Sequence, residues 1–306
     1  MKKLITMVFC LSVMLMTFGC DLNGALSDGK ADEVVAEAEK LPENMTIKML
    51  NVGQGDSILI QFKGKNYLVD TSDVDERDKL KNELAKANVS VIDKVILTHA
   101  HADHIGGMDL LLNKNSGITV NEVCDNGIPA TSPLWKSYIK KISANNIDYT
   151  PLKAGDVVDL DGAQLLVLYP TEKLVNEASQ KGYKHDPNNE SVVMKLVYGD
   201  FSMLFTGDAE KQEETELVTS YGDELKSKVL KSPHHGSKTS SSAKFLKTVS
   251  PEAAVISCGI NNDYGHPHEV TLNKYKKINV TTYETDKNGT ITIETDGKDY
   301  TVKGEK

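Results

Sequence analysis

The chain is constrained most by one stretch, Thr98-His99-Ala100-His101-Ala102-Asp103-His104-Ile105-Gly106-Gly107, which follows the apolar run Val95-Ile96-Leu97. Four side chains able to bind metal lie between positions 99 and 104, directly after a segment that reads as a buried strand. In an extended loop, residues i and i+2 point the same way. His99 and His101 can therefore grip one metal ion, while Asp103 and His104, past the bend, can grip a second. Imidazole with carboxylate suits zinc, or manganese and iron where oxygen ligands dominate. Gly106 and Gly107 allow a helix to start close to such a site. A solvated polar loop would not place four such residues at the end of an apolar strand.

The rest of the chain supports a layered α/β protein. Hydrophobic residues make up 39% of the 306 and charged residues 26%, enough for a core and against gross disorder. The net charge of −9 argues against nucleic-acid binding over the whole surface and leaves a local basic groove open. Alternating runs predict strands at MTIKMLNV, SILIQF and YLVD. Residues 75–88, with leucines four apart among charges, predict an amphipathic helix. Further strands are expected at VNEVCDN, VVDL, QLLVLYP, SVVMKLVY, FSMLFTGD, KVLKSP, AAVISCG, VTTYET, TITIET and KDYTV. Helices are expected around LWKSYIKKISANN, EKQEETELVTSY, SAKFLKTV and EVTLNKYKKI, and KGYKHDPNNE reads as a loop. Strands and helices alternate in two blocks, each opening with strands.

The N-terminus reads as an export signal. Lys2 and Lys3 precede an apolar run over residues 4–18, which is short for a membrane span and suited to a signal peptide. Gly19-Cys20 resembles a bacterial lipobox, although Thr17 and Phe18 depart from the usual pattern. The expected organisation is a signal over 1–19, lipidation at Cys20 with attachment to a membrane, a polar tether over 20–43 and a hydrolase domain over 44–304. Plain secretion and an uncleaved anchor are the alternatives. Cys124 and Cys258 could pair outside the cell or remain two buried thiols.

The histidine stretch has the form H-x-H-x-D-H, the signature of the metallo-β-lactamase superfamily. Val52–Ile60 (VGQGDSILI), Tyr67–Thr71 (YLVDT), Asn188–Val193 (NNESVV), Phe205–Asp208 (FTGD), Pro233–Ser237 (PHHGS) and Tyr264–His268 (YGHPH) follow the order of one subgroup. That subgroup resembles the extracytoplasmic hydrolase domain of ComEC-type DNA-uptake proteins. The resemblance covers roughly residues 45–302, without the membrane channel segments, and so looks like a free-standing relative. It implies a four-layer αββα sandwich, the metallo-β-lactamase (metallo-hydrolase/oxidoreductase) fold. It implies two divalent metal ions, zinc or manganese, bridged by Asp208. One of His234 and His235 would complete the second site and the other would face the substrate. Adjacent residues at a strand end point in opposite directions, and His234 is the slightly favoured ligand. His266 would sit at the mouth, orienting substrate or donating a proton, and Asp103 and His235 would share the catalytic work. Gln54 and Asp56 would lie beside the metals, and Asp70 would orient ligands from within.

True β-lactamases place a third histidine on the first metal where this chain has Asn188-Asn189-Glu190-Ser191. His185 nearby is a weak substitute. The first site is therefore expected to be weaker, which argues against β-lactam hydrolysis. Around PHHGS stand Lys226, Lys228, Lys231, Lys238, Lys244 and Lys247, together with Ser237, Thr239 and Ser240–Ser242. Basic and hydroxyl groups beside the site would suit a polyanion, although solvated helix faces explain such lysines equally well. A two-metal centre that supplies hydroxide from water suits a phosphodiester. The leading expectation is a phosphodiesterase acting on DNA, single strands included, with no obligate protein partner. The alternatives are a cell-wall phosphodiesterase acting on phosphocholine-bearing teichoic acid and a surface DNA-binding module with a structural metal.

Overall fold

The computed structural model describes residues 43–306. The signal over 1–19, Cys20 and the tether up to residue 42 lie outside the described residues. Two sheets face each other. The first has eight strands, in the order Tyr300–Gly304, Ile291–Thr295, Met45–Met49, Ile58–Phe62, Lys65–Val69, Val91–Ile96, Thr119–Asp125 and Asp148–Pro151. The second has seven, in the order Thr281–Glu284, Ala253–Ile256, Val229–Lys231, Phe201–Phe205, Val193–Tyr198, Gln164–Tyr169 and Val157–Asp159.

Period-two alternation assigns each strand's residues to two different cores. Ile58, Ile60 and Phe62 face the space between the sheets, whereas Leu59 faces outward. In the second sheet Met203 and Phe205 face the same central space, and Leu204 faces the other way. Both sheets are thus apolar on both faces, and helices must cover the outer ones. Leu80 and Leu84 of helix Arg77–Lys86, with Tyr138 and Ile142 of helix Pro133–Asn145, cover the first sheet. Leu217, Phe245 and Tyr275, from helices Lys211–Tyr221, Ala243–Val249 and Glu269–Lys277, cover the second. Three cores between four layers make the αββα sandwich that the motifs imply.

The differences from the sequence reading are local. Asp148–Pro151 pairs in parallel with the Thr119–Asp125 strand, yet all four of its residues are exposed, so no alternation marked it. Helix Glu172–Ala178, capped by the Thr171 side chain, was likewise not anticipated. Residues 285–288, at the end of the expected strand VTTYET and beyond it, form one helical turn. The Gly106–Gly107 helix start is preceded by another short turn, Ala102–Ile105, that carries Asp103 and His104. Cys124 and Cys258 are both buried free thiols, so they do not pair.

The strands entering the sequence motifs end at one edge. Lys65–Val69 and Val91–Ile96 run parallel in the first sheet, and Phe201–Phe205, Val229–Lys231 and Ala253–Ile256 run parallel in the second. The loops leaving their carboxyl ends meet, as is usual for functional loops of α/β proteins. Val192 N donates to Thr98 O at 2.8 Å, joining the edges of the two sheets. Gly106 fits here because a Cβ would come 2.3 Å from Val74 N and 2.4 Å from Asp73 C, both backbone atoms that cannot swing aside. Gly106→Ala should therefore lower stability by about 1–3 kcal/mol, read as a depressed thermal midpoint. An unchanged midpoint would show that the loop yields.

Candidate metal centre

Each histidine of the motif is oriented by what its Nδ1 touches. Asp70, at φ 60, ends its strand in a left-handed conformation that a non-glycine residue adopts only under structural demand. Its Oδ1 accepts from Thr98 N and its Oδ2 from Thr98 Oγ1, both at 2.8 Å. His104 Nδ1 lies 2.8 Å from the same Oδ2 and donates to it. The Thr98 hydroxyl, having donated to Asp70, is left to accept from His99 Nδ1 at 3.1 Å. His235 Nδ1 donates to Ser257 O at 3.0 Å. His104 and His235 thus spend Nδ1–H on the scaffold and leave Nε2 without a hydrogen-bond partner, the arrangement that ligand histidines need, while His99 Nε2 meets His101 Nδ1.

Those freed nitrogens converge on Asp208. His104 Nε2 lies 3.3 Å and His235 Nε2 3.5 Å from Asp208 Oδ1, and His235 Nε2 lies 3.2 Å and His104 Nε2 3.9 Å from Asp103 Oδ2. A tetrahedral ion with ligands at about 2.0–2.2 Å sets neighbouring ligand atoms about 3.3–3.6 Å apart. The two distances to Asp208 match those edges, the two to Asp103 fall either side of them, and the ligand atoms of Asp103, His104, Asp208 and His235 all lie within 4.8 Å of one another as one compact group. His104 Nε2, His235 Nε2 and Asp208 Oδ1 are buried and have no hydrogen-bond partner. Orphaned donor atoms aimed at one point are what a metal ion satisfies, so these residues fit one. The other carboxylate oxygen, Asp208 Oδ2, faces His99 Nε2 at 4.0 Å and His234 Nε2 at 3.7 Å. His99 Nε2 and His101 Nδ1 are 3.1 Å apart. This second set is looser than the first.

The charges follow from burial and pairing. Burial would lower His104, but Asp208 and Asp70 raise it well above the usual imidazole range. His235 is raised likewise, against burial, by Asp208 and Asp56. His99, where burial is joined by the neighbouring His104, is lowered. Burial would raise Asp208 and Asp103, yet His104 and His235 pull both below the ordinary carboxylate range. Asp56 is held at about 2 because Lys231 and His235 outweigh its burial.

His235, and not His234, belongs to the compact group, whereas the expectation leaned slightly to His234, whose Nε2 faces the other Asp208 oxygen. The physical reason is that neither histidine lies on a strand. The strand stops at Lys231, and His234 and His235 take left-handed backbone angles, φ 51 and φ 52. That turn, and not a pleat, decides where they point. His234 instead sets Nδ1 3.1 Å from Glu210 Oε1 and 3.3 Å from Thr239 Oγ1, with Nε2 3.7 Å from Asp208 Oδ2. The lysine expectation is also corrected in part. Lys231 is buried and pairs with Asp56 and so faces no substrate, while Lys226 and Lys228 precede the strand, at the end away from the histidines. Lys238 is exposed near the mouth, where its N–H donates to His268 Nδ1.

The remaining expected residues fall in three places. Ser191 Oγ lies 3.4 Å from His99 Nδ1 and accepts from Asp208 N at 3.1 Å, so it supports the centre from behind. Asn189 does not face it: its Oδ1 accepts from Glu210 N and Glu213 N at the start of helix Lys211–Tyr221. His185 is exposed and pairs with Glu190. Gln54 Oε1 accepts from Gly259 N, and Ser237 Oγ bonds the Thr239 hydroxyl that in turn meets His234. His266 is buried at the mouth, stacked on His235 with centroids 6.0 Å apart and on exposed Tyr264 at 5.5 Å. Burial and the neighbouring His235 and His234 hold it down at about 4, so its ring is neutral at neutral pH. It suits orienting a substrate better than supplying a proton. Thr98, Glu210 and Ser257 carry the site's support and were missed. Only Thr98, inside the motif itself, had a signal in the sequence.

The chain belongs to the metallo-beta-lactamase superfamily, which its residues 50–260 match. It is similar to ComE operon protein 3 of Bacillus subtilis (strain 168), at 31% identity over 263 residues, covering 80% of this chain and 32% of that protein. It is also similar to competence protein ComA of Neisseria gonorrhoeae, at 31% identity over 255 residues, covering 83% of this chain and 33% of that protein. These relatives fit the ComEC-like competence subgroup, and the chain spans about a third of their length. Among solved structures, the metallo-beta-lactamase fold protein YhfI from Bacillus subtilis shares the fold at TM-score 0.54 and 13% identity, covering 83% of this chain and 100% of that one.

Two outcomes follow from this geometry. Asp70→Asn, which weakens the acceptor of His104 Nδ1–H, should reduce metal affinity by about 10–100-fold, measured by competition with a chelating dye. In the metal-free protein His104 and His235 carry protons at neutral pH, because their values are raised, and a metal must displace them. Affinity should therefore fall as pH falls, by about tenfold per pH unit for each proton displaced. Calorimetry in buffers of different ionisation enthalpy reads that release, and its absence would contradict the raised imidazoles.

Proposed function

We propose that the chain is an exported, metal-dependent phosphodiesterase that cleaves DNA, held at a membrane through lipidated Cys20. The observation that carries the chemistry is Asp208, whose two oxygens face two different sets of histidine nitrogens, 3.3–3.5 Å away on one side and 3.7–4.0 Å on the other. Such a carboxylate suits two divalent ions, zinc or manganese, a few ångströms apart. Asp103, His104 and His235 would hold one ion with Asp208 Oδ1, and His99, His101 and His234 the other with Asp208 Oδ2. Bound metal supplies a nucleophile from water at neutral pH and offsets the charge that builds on a phosphoryl group.

The protein's own groups do the rest. His266, neutral and with an unpartnered Nδ1, can hydrogen-bond a phosphoryl or leaving-group oxygen at the mouth. His234, braced by Glu210 and Thr239, faces the same opening. A DNA-related role fits relatives named for competence. No helix among the described residues is long and apolar enough to cross a membrane, which leaves attachment to the N-terminal segment in this reading.

A second reading is favoured by the cavity beside His266. It measures about 490 Å³ and is lined by Asp73, Asp75, Asp263, Tyr264 and the Glu76–Lys79 ion pair, which leaves acidic side chains in excess. Carboxylates with an aromatic face suit a quaternary ammonium better than a polyanion. A phosphodiester bearing choline, such as a substituted cell-wall polymer, would place its phosphate at the metals and its cation there.

The deciding experiment incubates the metal-stripped chain, reloaded with Zn²⁺ or Mn²⁺, with end-labelled single- and double-stranded DNA and with a chromogenic phosphocholine ester. Metal-dependent DNA cleavage that Asp208→Ala reduces at least about a thousandfold is expected. Hydrolysis of the choline ester alone would move the assignment to the second reading. Inactivity on both substrates by protein holding two ions would overturn the phosphodiesterase.

A further inference from the structure

Lys231 ends its strand in the interior, 1% exposed. Its ammonium pairs with Asp56 Oδ2, donates to Gly207 O at 2.8 Å and lies 3.7 Å from Asp208 Oδ1. A lysine so buried is costly unless opposite charge and hydrogen bonds surround it, and here they do. Asp56, equally buried, lies on the far side of both ligand rings from the compact group. Its Oδ1 is 3.4 Å from His235 Nδ1 and its Oδ2 3.9 Å from His104 Nδ1.

That far side is itself able to hold an ion. Donor atoms of Asp56, Asp70 and His104 all lie within 4.8 Å of one another and are buried. The two groups share His104. An ion taken up among Asp56, Asp70 and His104 would compete for that ring and would break its bond to Asp70.

We propose that Lys231 is a resident cation that occupies Asp56, keeps a divalent ion out of the Asp56–Asp70–His104 pocket, and so reserves His104 and His235 for the metal centre. Its single charge neutralises Asp56 whether or not metal is bound. The ammonium holds Asp56 behind both imidazoles without coordinating either ring. Lys231 is in this sense a positioning residue. Its distance from solvent separates it from the lysines that could meet a substrate.

The inference rests on the metal-binding reading above, and the test separates the two. The full-length chain, Lys231→Met and Lys231→Met/Asp56→Asn are dialysed against Zn²⁺, and bound zinc per chain is counted by elemental analysis. Lys231→Met should hold one ion more than the parent, and the double variant should return to the parental count, because the emptied pocket has lost its carboxylate. An unchanged or lower count in folded Lys231→Met would overturn the proposal, as would an extra ion that persists in the double variant. If Lys231→Met unfolds without metal, zinc should restore its circular dichroism by taking the ammonium's place, and failure to do so would also overturn it. A parent that binds no zinc would instead fail the metal-binding reading.

Discussion

Buried negative charge at the meeting of two sheets is what the rest of this molecule is arranged around. Asp56, Asp70 and Asp208 are each about 1% exposed. Carboxylates out of water are tolerated only when paired or metal-bound. Each has its own solution: Asp70 takes Thr98 and His104, Asp56 takes Lys231, and Asp208 faces orphaned imidazole nitrogens. Asp70 is hydrogen-bonded and Asp56 is ion-paired within the chain, whereas Asp208 Oδ1 faces two imidazole nitrogens and has no hydrogen-bond partner. Asp208 Oδ1, beside the equally unpartnered His104 and His235 Nε2 atoms, is a position that a divalent ion fits.

Hydrogen bonding to Nδ1 converts this charge arrangement into a directed site. A histidine held only by packing could present either nitrogen. Here Asp70, Thr98 and Ser257 each claim an Nδ1–H, and Nε2 is the nitrogen turned towards Asp208. The two halves of the centre differ in consequence. Asp103, His104, Asp208 and His235 form a compact group, while His99 Nε2 and His234 Nε2 lie farther from Asp208, and Ser191 Oγ meets His99 from behind.

Much of the architecture was legible because strands buried on both faces and helices with one apolar face have periodic patterns that survive translation into sequence. The edge strand Asp148–Pro151 was not legible, since nothing packs on it and no pattern is required. The ligand motif was legible because its residues are neighbours in the chain. The choice between His234 and His235 was not. It depends on backbone angles near φ 50 at two consecutive non-glycine residues, which no pleat-based rule anticipates. Lys231 was misread for the same kind of reason: in composition it is one of six lysines, and only its partner Asp56, 175 positions earlier in the chain, makes it internal.

The sequence by itself determined the chemistry that is possible here: the donor atoms, their spacing after a buried strand, and a chain able to form two apolar sheets. It also determined the family, since those motifs occur in a fixed order. Tertiary structure decided which donors meet. The Ile291–Thr295 strand returns to pair with Met45–Met49 and completes the first sheet from the opposite end of the chain. Asp208 and His235 reach His104 only because strand ends of the second sheet abut those of the first. Contacts across such separations depend on the packing of both sheets about one shared core, and no local stretch of residues encodes them.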